Sequence, residues 1–163
     1  MSGILKCAVF PATLILSLIV LACGEPESNQ LNESSVGDFA DVVNVSVSGS
    51  AGEYTFAVTI SSPDTGCEQY ADWWEIISED EALIYRRILR HSHVNEQPFV
   101  RSGGPVNIAS DQKVWVRAHM NNVGYGGRVY YGSVEEGFEI GEMPEAFAWD
   151  LVQEQPLPDG CDF

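Results

Sequence analysis

Tyr54, Phe56, Val58 and Ile60 alternate with Thr55, Ala57, Thr59 and Ser61. A run of period two places its apolar residues on one face of a β-strand, and no helix can collect them on one side. Val43, Val45 and Val47 alternate in the same way with Asn44, Ser46 and Ser48, and Gly49-Ser50-Ala51-Gly52 supplies the turn between the two runs. Asp72–Ser78 reads as a third strand with Trp74 and Ile76 inward. A fourth spans Leu83 to about His93 and carries Ile84, Tyr85, Ile88 and Leu89. Arg86, Arg87 and Arg90 crowd that fourth run, as charges do on an edge strand. A helix over Glu81–Arg90 is the rival reading. Val106–Ala109, Lys113–Met120 and Arg128–Ser133 complete about seven short strands, with Gly124-Tyr125-Gly126-Gly127 as a hairpin tip. The pattern predicts an all-β fold, a single antiparallel β-sandwich of immunoglobulin or fibronectin type III character.

The start of the chain has another purpose. Lys6 precedes the apolar run Leu16-Ser17-Leu18-Ile19-Val20-Leu21-Ala22, which ends at Cys23-Gly24. A charged start, an apolar stretch and a small residue before the break make a secretory signal, and Pro11 argues against a retained membrane helix. The segment resembles the signal of bacterial lipoproteins, whose lipobox ends in a small residue and a Cys. That resemblance implies cleavage before Cys23, a diacylglyceryl group on its sulfur and a further acyl chain such as palmitate on the new amine. It also implies a cell-envelope protein held in the membrane through that lipid. Gly24 in place of Asp favours the outer membrane, facing the periplasm or the surface. The organisation expected is a signal peptide over 1–22, lipidated Cys23 with a polar tether over 23–38, a sandwich over 39–133 and an acidic extension over 134–163.

Charge narrows the partners. The chain carries 8 Lys+Arg and 24 Asp+Glu, and loss of Lys6 with the signal leaves a net charge of −17. Such a balance repels nucleic acid and anionic membrane surfaces, so no nucleic-acid partner is expected. Cys7 leaves with the signal and Cys23 takes the lipid. Cys67 and Cys161 remain as a pair in an oxidising compartment and are expected to form a disulfide. The extension has its own apolar content. Pro144–Leu151 is expected to form a short helix with Phe147, Trp149 and Leu151 to bury.

Three groups of residues are candidates for chemistry. His91 and His93, if on a strand, share one face, and with Glu96 and His119 they could hold Cu(II) or Zn(II). Hydrogen bonding at a strand end is the competing role. Asp64, Glu68 and Asp72 flank a loop and offer oxygen ligands for Ca²⁺, without the Asp-x-Asp-x-Asp-Gly pattern of a dedicated loop. Tyr70, Trp73, Trp115 and Tyr125 could form an exposed aromatic surface for an envelope protein or a glycan. No Gly-x-Ser-x-Gly stands in the chain, so an enzyme is not expected.

From about Tyr54 to Tyr131 the chain also resembles a group of small secreted bacterial domains with no known activity. The residues concerned are Ser62-Pro63-Asp64-Thr65-Gly66, Tyr70-Ala71-Asp72 with Trp74-Glu75, and His91-x-His93-Val94-x-Glu96-Gln97-Pro98-Phe99. Arg101-Ser102, Val116-Arg117-Ala118 and Gly124-Tyr125-Gly126-Gly127 complete the set. The resemblance implies an exported β-sandwich and supplies no activity for it. Similar chains carry an aromatic residue at the place of Cys67, which implies that Cys67 and the tail with Cys161 were added together.

Overall fold

The computed structural model describes residues 37–162. The expectations placed on the signal, on Cys23 and on most of the tether lie outside those residues. The described chain is all-β. Its strands are β1 (Asp41–Ser48), β2 (Tyr54–Ser61), β3 (Ala71–Ser78), β4 (Leu83–Ile88), β5 (Phe99–Val106), β6 (Val114–Met120), β7 (Val129–Ser133) and β8 (Gly137–Gly141). Two antiparallel sheets form, one ordered β1-β2-β5 and the other β4-β3-β6-β7-β8.

The core lies between the sheets. β2 contributes Tyr54, Phe56, Val58 and Ile60, as its alternation demands. From the opposite sheet come Trp74 and Ile76 on β3 and Val114, Val116, Ala118 and Met120 on β6. At β1 the structure departs from the simple pattern. A bulge between Val42 and Asn44 shifts the pleat, so Val42 rather than Val43 is fully buried in the core. An extra residue in one strand reverses the facing of everything before it. The β4 segment forms a strand and not the rival helix, but it stops at Ile88, so His91 and His93 lie beyond it.

The sandwich also extends past the expected boundary at residue 133. β8 pairs with β7 from Val129↔Gly141 to Ser133↔Gly137, and Phe138 meets Phe56 edge-on at 5.6 Å. The hairpin tip before β7 joins the two sheets. A Cβ on Gly127 would lie 2.0 Å from the Ala40 carbonyl oxygen, so only glycine permits that approach. Beside it the Val42 N–H donates to Arg128 O at 2.9 Å, and the Arg128 N–H to Asp41 Oδ1 at 2.6 Å.

The expected helix over Pro144–Leu151 is replaced by a 3-10 turn at Trp149–Gln153. Ala146 and Ala148 take left-handed backbone angles, φ 60° and 51°, and an α-helix cannot run through them. Cys67 and Cys161 are joined, with Cα atoms 5.7 Å apart across 94 residues. A loop of that length implies a stabilisation of roughly 4 kcal/mol by chain entropy. Cys67→Ser should therefore lower the free energy of unfolding by an amount of that order in urea titration, and expose residues after Pro156 to protease first. Equal midpoints for variant and parent would show that the bridge is energetically idle.

Candidate functional site

The outer face of the five-stranded sheet holds charges that alternation alone would put in water. Glu75 on β3 stands directly opposite Arg86 on β4 and Arg117 on β6. All three are buried, with Glu75 at 0%, Arg86 at 5% and Arg117 at 2% relative exposure. Arg86 Nε and Nη2 donate to Glu75 Oε2 at 2.7 and 2.5 Å, and Arg117 Nε donates to Glu75 Oε1 at 2.7 Å. One carboxylate thus binds two guanidinium groups, one with each oxygen.

The remaining guanidinium N–H groups hold the C-terminal segment. Arg117 donates to the carbonyls of Phe147 (2.8 Å) and Ala148 (2.7 Å). Arg86 donates to those of Leu151 (2.6 Å), Glu154 (2.5 Å) and Pro156 (3.1 Å). A segment outside any sheet has no ladder N–H groups to donate to its carbonyls, and the planar forks of arginine supply the donors. Glu81 adds an acceptor for the Ala148 N–H at 3.1 Å. Phe147 and Ala148 then pack with Ile77 as a second small core, with Trp115, Met143 and Leu151 against it. The segment forms a strap across the sheet.

An aromatic layer continues from the arginines. Arg86 lies over Trp73 at 4.5 Å, and Arg117 over Tyr125 at 3.5 Å. His119 stacks on Trp73 with centroids 3.6 Å apart, and its Nδ1 is 2.7 Å from Asp72 Oδ1. Burial pushes the Asp72 carboxyl above its ordinary range, and the His119 hydrogen bond pulls it back. Burial also raises the Tyr125 hydroxyl, with the Glu75 charge adding to it.

The histidines separate into two places. His119 is on the outer face, as its position opposite Val114 and Val116 implies, yet it is buried and taken up by Asp72, Trp73 and Tyr125. His91 and His93 lie in the loop after β4 with ring centroids 4.6 Å apart. His91 is exposed, whereas His93 is buried and stacks on Phe99 at 3.8 Å. Glu96 instead pairs with Arg101 at 2.8 Å, which holds its carboxyl below the usual range. Among the described residues, no group of three or more His, Cys, Asp or Glu side chains converges as metal ligands.

The Asp64 loop explains several of the residues singled out in the sequence. Asp64 Oδ1 accepts from Ser62 Oγ (2.7 Å) and the Ala71 N–H (3.0 Å), and Oδ2 accepts from the His93 N–H (2.7 Å). Gln97 Nε2 donates to Ser62 Oγ and His93 O, and Gln97 Oε1 accepts from the Ser62 N–H. Asp64 and Asp72 are therefore engaged inside the domain, while Glu68 is exposed. At this end of the sandwich the strap finishes, where the Asp162 N–H donates to Arg90 O at 2.5 Å.

The aromatic surface differs from the expected one. Tyr70 and Trp73 are buried at 4% and 3%, so neither is displayed. Trp115 is half-buried against Tyr131 and Phe147, and Tyr125 is half-buried beneath Arg117. Trp149, expected to pack inward from a helix, is 56% exposed on the strap. It lines a cavity of about 240 Å³ with Tyr125, Arg128, Met143 and Glu145.

No family model matches the chain, and no solved structure matches it. A protein of Halomicrobium mukohataei named "Putative lipoprotein" is 34% identical over 124 residues, which make up 76% of this chain and 56% of that protein. The chain thus spans about half the length of the curated relative it matches.

Two outcomes follow from this chemistry. Glu75→Gln leaves two buried guanidinium groups without their counter-charge and should cost about 3–5 kcal/mol in denaturant unfolding. A loss below about 1 kcal/mol would show that the strap carbonyls alone suffice. Desolvation holds the His93 imidazole down, from an ordinary 6.5 to about 4. The unfolded chain therefore takes up a proton before the folded one does, and stability falls as pH drops from 6.5 towards 4. The melting temperature should decline over that window, and His93→Gln should flatten the slope. An unchanged slope in the variant would assign the acid sensitivity to other groups.

Proposed function

We propose that this chain is a lipid-anchored, non-catalytic module of the cell envelope that recognises a protein or glycan from an exposed face of a β-sandwich. The observation that carries the reading is the Cys67–Cys161 disulfide, which belongs to an oxidising, extracytoplasmic compartment. The Ala22-Cys23-Gly24 sequence and the name of the similar Halomicrobium protein support the anchor. Two or three acyl chains, at about 0.8 kcal/mol per buried methylene, are enough for stable attachment. The strand order supports the fibronectin type III-like alternative. Constant-type immunoglobulin domains add their fourth strand to the first, second and fifth, whereas here β4 joins β3 in the other sheet. The strap covers the outer face of that sheet over β3, β4 and β6, which leaves the face of the β1-β2-β5 sheet, the loop ends and the strap itself for recognition.

Cys23→Ser tests the anchor. The parent chain should partition into the detergent phase of a membrane extract and yield an N-terminal peptide carrying the mass of a diacylglyceryl group. The variant should move to the aqueous phase. A parent chain found in the aqueous phase with unmodified Cys23 would end the lipoprotein reading.

A further inference from the structure

Two Asn-x-Ser sequences stand in the chain, Asn32-Glu33-Ser34 and Asn44-Val45-Ser46. An asparagine two residues before Ser or Thr, with no Pro between them, is the acceptor pattern of N-glycosylation in exported proteins, and the amide must reach solvent. Asn32 lies outside the described residues. Asn44 is on β1, and period two puts its side chain and that of Ser46 on the outer face of the β1-β2-β5 sheet. Both residues are exposed. Among the described residues, no hydrogen bond engages the Asn44 side-chain amide. Asn121 and Asn122 differ. Asn121 donates to Cys67 O and accepts from the Tyr70 N–H, and Asn122 donates to Gln69.

The surroundings leave room for a bulky group. Asn44, Thr59 and Val100 form one row across the sheet, and Ser46, Ala57 and Ser102 form the next. Neither row carries a charge or an aromatic ring, in a chain of formal net charge −16. Asn44 also follows the contacts that close the start of the β1 edge. There the Val42 N–H donates to Arg128 O, and the Tyr130 hydroxyl donates to Val43 O at 2.7 Å. Beyond Asn44 no strand among the described residues pairs with that side of β1. An open edge invites pairing with another chain and is ordinarily guarded by charge, proline or a bulge. Of the other edge strands, β4 has Arg86 and Arg87, β5 has Pro105 and β8 has Glu139. Val45-Ser46-Val47-Ser48-Gly49-Ser50 has none of these devices.

We infer that Asn44 is an N-glycosylation site whose glycan covers the open edge of β1. The transfer uses an oligosaccharide carried on a polyisoprenoid phosphate, delivered by a membrane-bound transferase outside the cytoplasm. A bond forms between Asn44 Nδ2 and the anomeric carbon of the first sugar. The bond from that carbon to the carrier's phosphate oxygen breaks, and the phosphate leaves with the electron pair. The amide gives up one proton to a base of the transferase. The carbohydrate then meets the uncharged rows, whose Ser and Thr hydroxyls both donate and accept. A bulky hydrated group stands where other edges carry a charge. The inference rests on the envelope reading and narrows it, because a covered β1-β2-β5 face leaves recognition to the loop ends and the strap.

The test uses the full chain purified from the cells that make it. Cleavage after Glu33 and Glu53 isolates a peptide that holds Asn44 without Asn32. Electron-transfer fragmentation of that peptide should place a mass increment of whole sugar residues on Asn44. Asn44→Gln and Ser46→Ala should each abolish the increment, and Ser46→Thr should keep it. Asn44→Gln, at a melting temperature near the parent value, should sediment as a larger species than the parent at equal concentration. A bare Asn44 in a chain recovered from the envelope would overturn the site and leave the envelope reading standing. A modified Asn44 with identical sedimentation of parent and Asn44→Gln would overturn the covering of the edge. Cys23→Ser partitioning tests the envelope reading independently of these outcomes.

Discussion

The buried Arg86–Glu75–Arg117 group is the interaction on which the second layer of this molecule depends. Removing three charged side chains from water costs several kcal/mol per ion, and attraction alone does not secure the return. Here each carboxylate oxygen takes a guanidinium, and five main-chain carbonyls accept from the nitrogens that remain. The strap thus completes the charge group, and the charge group gives the strap the partners that a sheet would have supplied.

Register makes the arrangement available. Glu75 is directly across from Arg86 on one side and Arg117 on the other. A slip of one residue in β3 would turn Glu75 into the core between the sheets and bring Trp74 out. The core face, with Trp74 and Ile76 against β2, therefore specifies the polar face indirectly. The aromatic layer of Trp73, His119 and Tyr125 extends the same row toward the β6–β7 tip, so both faces of β3 are buried along its whole length.

Electrostatics and compartment support one another. An acidic surface with few basic residues has little capacity for ion-pair networks, and surface pairs are worth little in any case. The chain places two of its arginines inside, where they organise structure, and ties the end of the strap covalently to the loop after β2. The Asp64 loop next to that bridge is held by hydrogen bonds from Ser62, Ala71 and His93. A notable share of the motif residues between Ser62 and Phe99 therefore work at fixing this end of the sandwich.

Much of the fold was legible from period-two alternation alone, because strands buried on one face leave that imprint on the sequence. The runs at 43–48, 54–61, 72–78 and 113–120, the inward Trp74 and the Cys67–Cys161 pairing all follow from local spacing and from counting cysteines. The bulge in β1, the end of β4 at Ile88 and the addition of β8 were not legible, since each depends on what a neighbouring strand offers. The candidate site was legible least of all. Arg86 reads as an edge charge, and β4 is indeed the edge strand, yet its guanidinium is buried; Trp73 reads as a displayed aromatic and Trp149 as a buried one, and the tertiary structure reverses both. Alternation tells which side of a strand a residue faces. Only the strap, laid across that side and held by long-range contacts, decides whether the side is wet or dry.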